Sequence, residues 1–206
     1  LGSAMTTPLG TIALAALTFV AGLAVAGNFT LPGTRTAQLE QQLAATSAEL
    51  QKTQGQLAVH EIQAQRLGHV QEFSSRHDIP ADLASSVYDI ALAEGLRPEL
   101  AFRLVETESS FRQRAVSQMG AVGYTQIKPS TAMWIDPSLT YDDLFATETN
   151  LRLGFRYFSL LLERYEGDER LALLAYNRGP TRVGSMLAMG HDPSNGYAQK
   201  ILTGTQ

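Results

Sequence analysis

Chemistry in this chain starts with two glutamates, Glu106 and Glu108, close together in a stretch whose pattern predicts a helix from Pro98 to about Ser110. Ala101, Leu104 and Val105 set an apolar stripe along that helix, and three residues further on the stripe reaches Glu108, with Phe111 beyond it. A carboxyl on an apolar face loses solvation, which disfavours its charged form and raises its pKa toward the range of a general acid at neutral pH. Glu106 falls on a different face beside Arg103, where an exposed ion pair accounts for it. Spacing alone leaves two readings of Glu108 open, a catalytic acid or a structural carboxyl paired with Arg or Tyr. Other chemistries lack their spacing. His60, His69, His77 and His191 form no HExxH or similar pair and the chain has no cysteine, so no metal site and no thiol chemistry are expected. There is no G-x-S-x-G elbow, and the glycines at 120 and 123 follow no strand, which removes serine hydrolases and nucleotide loops.

The elements that must position Glu108 divide into three parts. Residues 1–34 carry no charge; they comprise a tag remnant before Met5 and the apolar run 9–29, which is long enough for a membrane anchor and also reads as a signal segment, with Ala24-Val25-Ala26 as a small-residue cleavage site. Residues 35–76 are rich in Gln, Ala and Glu, with Leu39, Leu43, Leu50 and Leu57 on alternating four- and three-residue steps. Thr46, Thr53 and His60 occupy the intervening seam positions, so this is a helical stalk and coiled-coil candidate that either stands alone, self-associates or binds a partner protein. Fully helical, it extends roughly 50 to 60 Å. Residues 77–206 change to short helical patterns punctuated by Pro and Gly, the mark of a compact all-α domain. Helices are predicted from Pro80 to Gly95, from Pro98, from near Ser130, from Thr147 to Tyr165, from an Asp168 cap to Gly179, from Pro180 to Gly190, and from about Ser194. The stretch 112–128 lacks a sustained period and reads as a long functional loop. The net charge of -4 lies in the C-terminal part, and no Lys/Arg-rich face invites nucleic acid.

Three motifs in order change the odds for Glu108. Glu108-Ser109-Ser110-Phe111, then GAVGYTQIKPSTA at 120–132, then Ala175-Tyr176-Asn177-Arg178-Gly179-Pro180 together resemble the soluble lytic transglycosylase domain of the lysozyme-like, goose-lysozyme-related superfamily. The resemblance covers about residues 80–204, including Asn150-Leu151-Arg152-Leu153-Gly154 and Tyr197, and leaves the anchor and stalk aside. It implies an all-α lysozyme-like catalytic domain at 77–206. It also implies a peptidoglycan lyase that cuts the MurNAc-GlcNAc β-1,4 bond without water, leaving 1,6-anhydro-MurNAc ends. Glu108 would serve as acid and then base, with help from the substrate N-acetyl group and no cofactor. By the same resemblance, Ser109, Gln126, Tyr176, Asn177 and Tyr197 contact the substrate. The implied partner is the peptidoglycan glycan strand, and the implied place is the cell envelope; the apolar run 9–29, read by itself as an anchor, would then hold the domain on the periplasmic side. The pair Tyr124-Thr125 departs from the family, which usually has an aliphatic residue and Met before Gln, and Thr125 is expected to alter an apolar wall of the sugar site. Arg178 stands where the family often has a small residue. A goose-type hydrolysing lysozyme using a second acid such as Asp136 or Asp142, and a weakly active glycan-binding module of a membrane assembly, are the alternatives.

Overall fold

A computed structural model describes residues 32–204; the segment 9–29, read above as an anchor or signal, lies outside them. Among the described residues no helix is long and apolar enough to cross a membrane. The chain forms two units, one through Val59 and one from His60. Helix α1 runs from Pro32 to His77. Within the first unit Leu39, Leu43, Leu50 and Leu57 are all more than half exposed. The seam residue Thr53 turns its hydroxyl back on its own helix, donating to the Glu49 carbonyl at 2.9 Å.

The second unit is all-helical apart from turns and isolated bridges. Its core begins upstream of residue 77, because Val70 and Phe73 near the end of α1 are buried. Phe73 stacks on Phe102 with ring centroids 4.2 Å apart. Asp78, in the left-handed region at φ 50°, ends α1, and Ile79 N–H donating to the Ser74 carbonyl at 3.1 Å closes the turn. Helices α2 (Ala81–Ala93), α3 (Pro98–Ser109), α4 (Pro129–Ile135), α5 (Thr147–Arg164), α6 (Glu169–Arg178), α7 (Pro180–Ala188) and α8 (Tyr197–Thr203) follow. Pro98, Pro129 and Pro180 each start a helix, where the missing N–H costs nothing and φ is already set. Asp168 caps α6 by accepting from Leu171 N–H at 2.9 Å.

Helix α5 is central: its buried face of Leu151, Phe155 and Phe158 packs between α2 and α6, and α6 in turn carries α7 and α8. Each fully buried large side chain on this face contributes about 1.5–3 kcal/mol. A one-turn 3-10 helix at Asp142–Phe145, absent from the sequence-based expectations, brings Leu144 under the loop 112–128 beside Val122, Ile127 and Leu153. Two further expectations are corrected. The last helix begins at Tyr197 rather than Ser194, since the turn through Asp192 and Ser194 and a left-handed Gly196 at φ 83° precede it. Arg103 does not pair with Glu106: its guanidinium donates to the Leu202 carbonyl at 2.8 Å, answering the carbonyls that α8 leaves open, while Glu106 approaches His77 Nδ1 at 3.5 Å.

Candidate active site

The site rests on a loop pinned from below by one amide. Asn150, fully buried near the start of α5, donates through Nδ2 to the Val122 carbonyl at 3.0 Å and the Leu144 carbonyl at 2.8 Å. Its Oδ1 accepts from Thr125 N–H at 2.9 Å and from the Thr125 hydroxyl at 2.9 Å. Glycine is required at two contacts here. A Cβ on Gly123, which sits at φ 76°, would come within 2.1 Å of Asn150 Nδ2, and one on Gly154 would come within 2.3 Å of Thr125 Cβ. Isolated antiparallel bridges join Val122 to Val116 and to Ile127, folding the loop back on itself.

Thr125 is therefore a structural residue. It is fully buried, bonded to Asn150 and packed on Gly154, and is not among the residues lining the cleft. The expectation that it alters an apolar wall of the sugar site is overturned by this packing: a hydroxyl suits a place whose neighbours are amide oxygens. Tyr124 likewise joins the main core.

Above the loop lies a cleft of about 480 Å³ whose lining includes Glu108, Gln126, Lys128, Tyr157, Tyr176, Asn177 and Arg178. Glu108 enters it from the last turn of α3, which ends at Ser110 in the left-handed conformation. The carboxyl is partly buried, and Tyr197, the first residue of α8, donates its hydroxyl to Glu108 Oε1. Burial raises the Glu108 pKa to about 7, against the smaller opposing effect of the Tyr197 bond. Burial and the nearby Glu108 charge push both the Tyr176 and Tyr197 phenols well above their usual range, so both stay protonated donors.

The other residues singled out from sequence fall as follows. Tyr176 lies in the cleft wall, its hydroxyl donating to the Thr125 carbonyl at 2.8 Å and its ring against Tyr157 and Phe158. Gln126, at φ 50°, donates through Nε2 to the Ala115 carbonyl at 3.1 Å and the Gly123 carbonyl at 3.0 Å. Asn177 lines the cleft and accepts from Asn195 Nδ2 at 2.9 Å. Tyr197 reaches the site through Glu108. Ser109 is not brought to the cleft: it is buried, and its hydroxyl donates to the Val105 carbonyl at 3.1 Å. Asp136 and Asp142 are not among the lining residues either; Asp136 instead accepts from Ser138 at the end of α4.

Sequence reasoning missed Tyr157 and Lys128 in the cleft. Tyr157 had a usable signal, since Asn150, Gly154, Tyr157 and Leu161 recur at three- and four-residue steps on a second face of α5. Lys128 had none, because its direction depends on the loop. Among the described residues no cluster of three or more His, Asp or Glu could hold a metal.

Residues 86–194 match the sequence profile of the family described as "Transglycosylase SLT domain". A peptidoglycan transglycosylase, gp16, of Escherichia phage T7 is 30% identical over 52% of this chain and 8% of its own length. A transglycosylase of Enterobacteria phage PRD1 is 38% identical over 43% of this chain and 31% of its own. The soluble lytic murein transglycosylase of Salmonella typhimurium is 30% identical over 42% and 14%. The chain thus spans less than a third of the length of these relatives. Among solved structures, an inactive Glu-to-Gln mutant of the lytic transglycosylase Slt from Pseudomonas aeruginosa superposes with a TM-score of 0.50 at 27% identity, covering 57% of this chain and 22% of that one. The 70 kDa soluble lytic transglycosylase of Escherichia coli, at 23% identity, 60% and 23% coverage and a TM-score of 0.51, shares the fold.

Proposed function

The chain belongs to the Transglycosylase SLT domain family, and on that premise we propose that its second unit cleaves peptidoglycan glycan strands at the MurNAc-GlcNAc β-1,4 bond as a lytic transglycosylase. Glu108, protonated in part at neutral pH, gives its proton to the leaving glycosidic oxygen. The N-acetyl oxygen of the MurNAc ring closes on the anomeric carbon as that bond breaks. Glu108, now a carboxylate, takes the proton of the C6 hydroxyl while O6 attacks the same carbon, displaces the N-acetyl oxygen and closes the 1,6-anhydro ring. Tyr197 holds the carboxyl in place, and Gln126, Tyr176 and Asn177 line the sugar's path.

The observation that carries this reading is a single desolvated carboxyl, with a pKa of about 7, in a cleft whose lining holds no second carboxylate. A hydrolysing lysozyme needs a further acid to position water, and neither Asp136 nor Asp142 lines the cleft. Residues 9–29 tether the enzyme to the envelope membrane with its domain on the outer side. The exposed leucines of the stalk are open to self-association or a partner. Mass analysis of digested peptidoglycan tests the reaction: anhydro-MurNAc ends are expected, and products with reducing ends only would sink the transglycosylase reading. Glu108→Gln is expected to abolish cleavage.

A further inference from the structure

Two features of the second unit have no part in the chemistry above. One is a backbone conformation: Ser110 and Phe111, directly behind the last turn of α3, take φ values of 50° and 56°. Among the described residues no other two consecutive non-glycine residues lie in the left-handed region, and a bulky side chain such as Phe111 is strained there. The other is a titratable group that the reaction leaves unused. His77 is the last residue of α1, yet its side chain is only 8% exposed. A basic residue suits the end of a helix, but the dipole acts equally on one held in solvent and does not account for the burial.

The two features meet. The His77 ring lies flat on Phe102, with centroids 5.4 Å and planes 13° apart, and leans on Phe111 at 5.3 Å and 56°. Phe102 in turn lies 6.4 Å from Phe111. Phe111 is thus packed against both rings, and that packing offsets the strain of its backbone. The turn so held ends α3. Ser110 N–H donates to the Glu106 carbonyl at 2.9 Å, and Arg112 donates to the Ser109 carbonyl through its N–H at 3.2 Å and its Nε at 2.9 Å. Glu108 lies within this coil, so its direction into the cleft depends on the turn keeping its shape.

Resting on the acid role proposed for Glu108, we infer that His77 is a positioning residue, whose ring holds Phe111 and through it the strained turn that aims the Glu108 carboxyl into the cleft. His77 is not among the residues lining the cleft, so it acts through Phe111 and not on the sugar. The catalytic apparatus accordingly extends upstream of the residues 86–194 that match the family, into the end of α1. Glu106 approaches His77 Nδ1 at 3.5 Å, so the ring and its ion contact need separate variants.

The experiment compares steady-state cleavage of purified peptidoglycan by the full-length parent and its variants, with thermal melts alongside. His77→Ala should lower kcat about 30-fold and leave KM within about twofold, since misplacing a catalytic group by about 1 Å costs on the order of 100-fold. His77→Phe keeps a flat ring and should bring kcat back to within about threefold of the parent, while Glu106→Gln should change neither constant. In a Phe111→Ala background, His77→Ala should lower kcat no further, because the two act through one contact. If the melts show His77→Ala to be unfolded, His77→Leu, which fills the space without a flat face, takes its place with the same split between kcat and KM expected. An undiminished kcat in the alanine or leucine variant, a phenylalanine variant as slow as the alanine one, or losses that multiply in the double variant overturns the positioning role and leaves the proposed reaction standing. A parent that cleaves no peptidoglycan overturns the proposed function, and this role with it.

Discussion

Replacing Glu108 by glutamine should stabilise the protein, and only above the pH at which an ordinary glutamate ionises. The carboxyl has a folded-state pKa of about 7 against an ordinary value of 4.5. Below about pH 4.5 it is protonated in both folded and unfolded chains and glutamine is a close substitute, with an amide oxygen still able to accept from Tyr197. Between the two values the unfolded chain releases its proton while the folded one retains it, so the parent loses about 1.4 kcal/mol of stability per pH unit relative to the variant. Above pH 7 the difference levels off at about 3 kcal/mol, nearer 2 kcal/mol once the partial exposure of the carboxyl is allowed for. For a unit of this size that is a melting-temperature advantage of about 4–12 °C. Parallel thermal melts of parent and Glu108→Gln from pH 4 to pH 9 measure it, and all other titrating groups cancel in the difference. Two curves that stay a constant distance apart would show that Glu108 ionises as an exposed carboxylate does, and the desolvation reasoning, with the general-acid role that rests on it, would be wrong.

Three further outcomes follow from the same contacts. Tyr197→Phe removes the hydrogen bond that holds the Glu108 pKa down, so the alkaline limb of the pH-rate profile, where the protonated acid is lost, should move to higher pH while kcat falls; an unmoved limb would dissociate Tyr197 from the acid. Asn150→Ala strips partners from the Thr125 N–H and from the Val122 and Leu144 carbonyls, which at about 1–3 kcal/mol for each orphaned group should cost at least 3 kcal/mol in denaturant unfolding and disorder the loop before the rest. Phe73→Ala, in the segment read from sequence as stalk, should cost about 3–5 kcal/mol in the same assay, because its ring stacks inside the core; a change below 1 kcal/mol would place α1 outside the cooperative unit.

Local physics made much of the second unit readable in advance. Prolines at helix starts, Gly95 after α2 and the Asp168 cap are decisions taken within a few residues, and they put most helices within a residue or two of where they lie. The apolar stripe of α3 likewise marked Glu108 and not Glu106 as the desolvated carboxyl, since a helix's own period fixes which face a residue is on. What was not readable was a choice made by a distant partner: Arg103 answers carbonyls nearly a hundred residues away instead of a neighbouring acid.

The sequence by itself thus determined most helices, which of two neighbouring glutamates is desolvated and, through three motifs in order, the family. Tertiary structure alone decided that Thr125 is a strut beneath the cleft, that Tyr197 is the partner of Glu108, and that His77 packs on Phe111. The reason is range: helical period and capping act over three or four residues and are written in neighbouring letters. A buried hydrogen bond or a ring contact joins elements 25 to 89 residues apart, and its geometry exists only once they have packed.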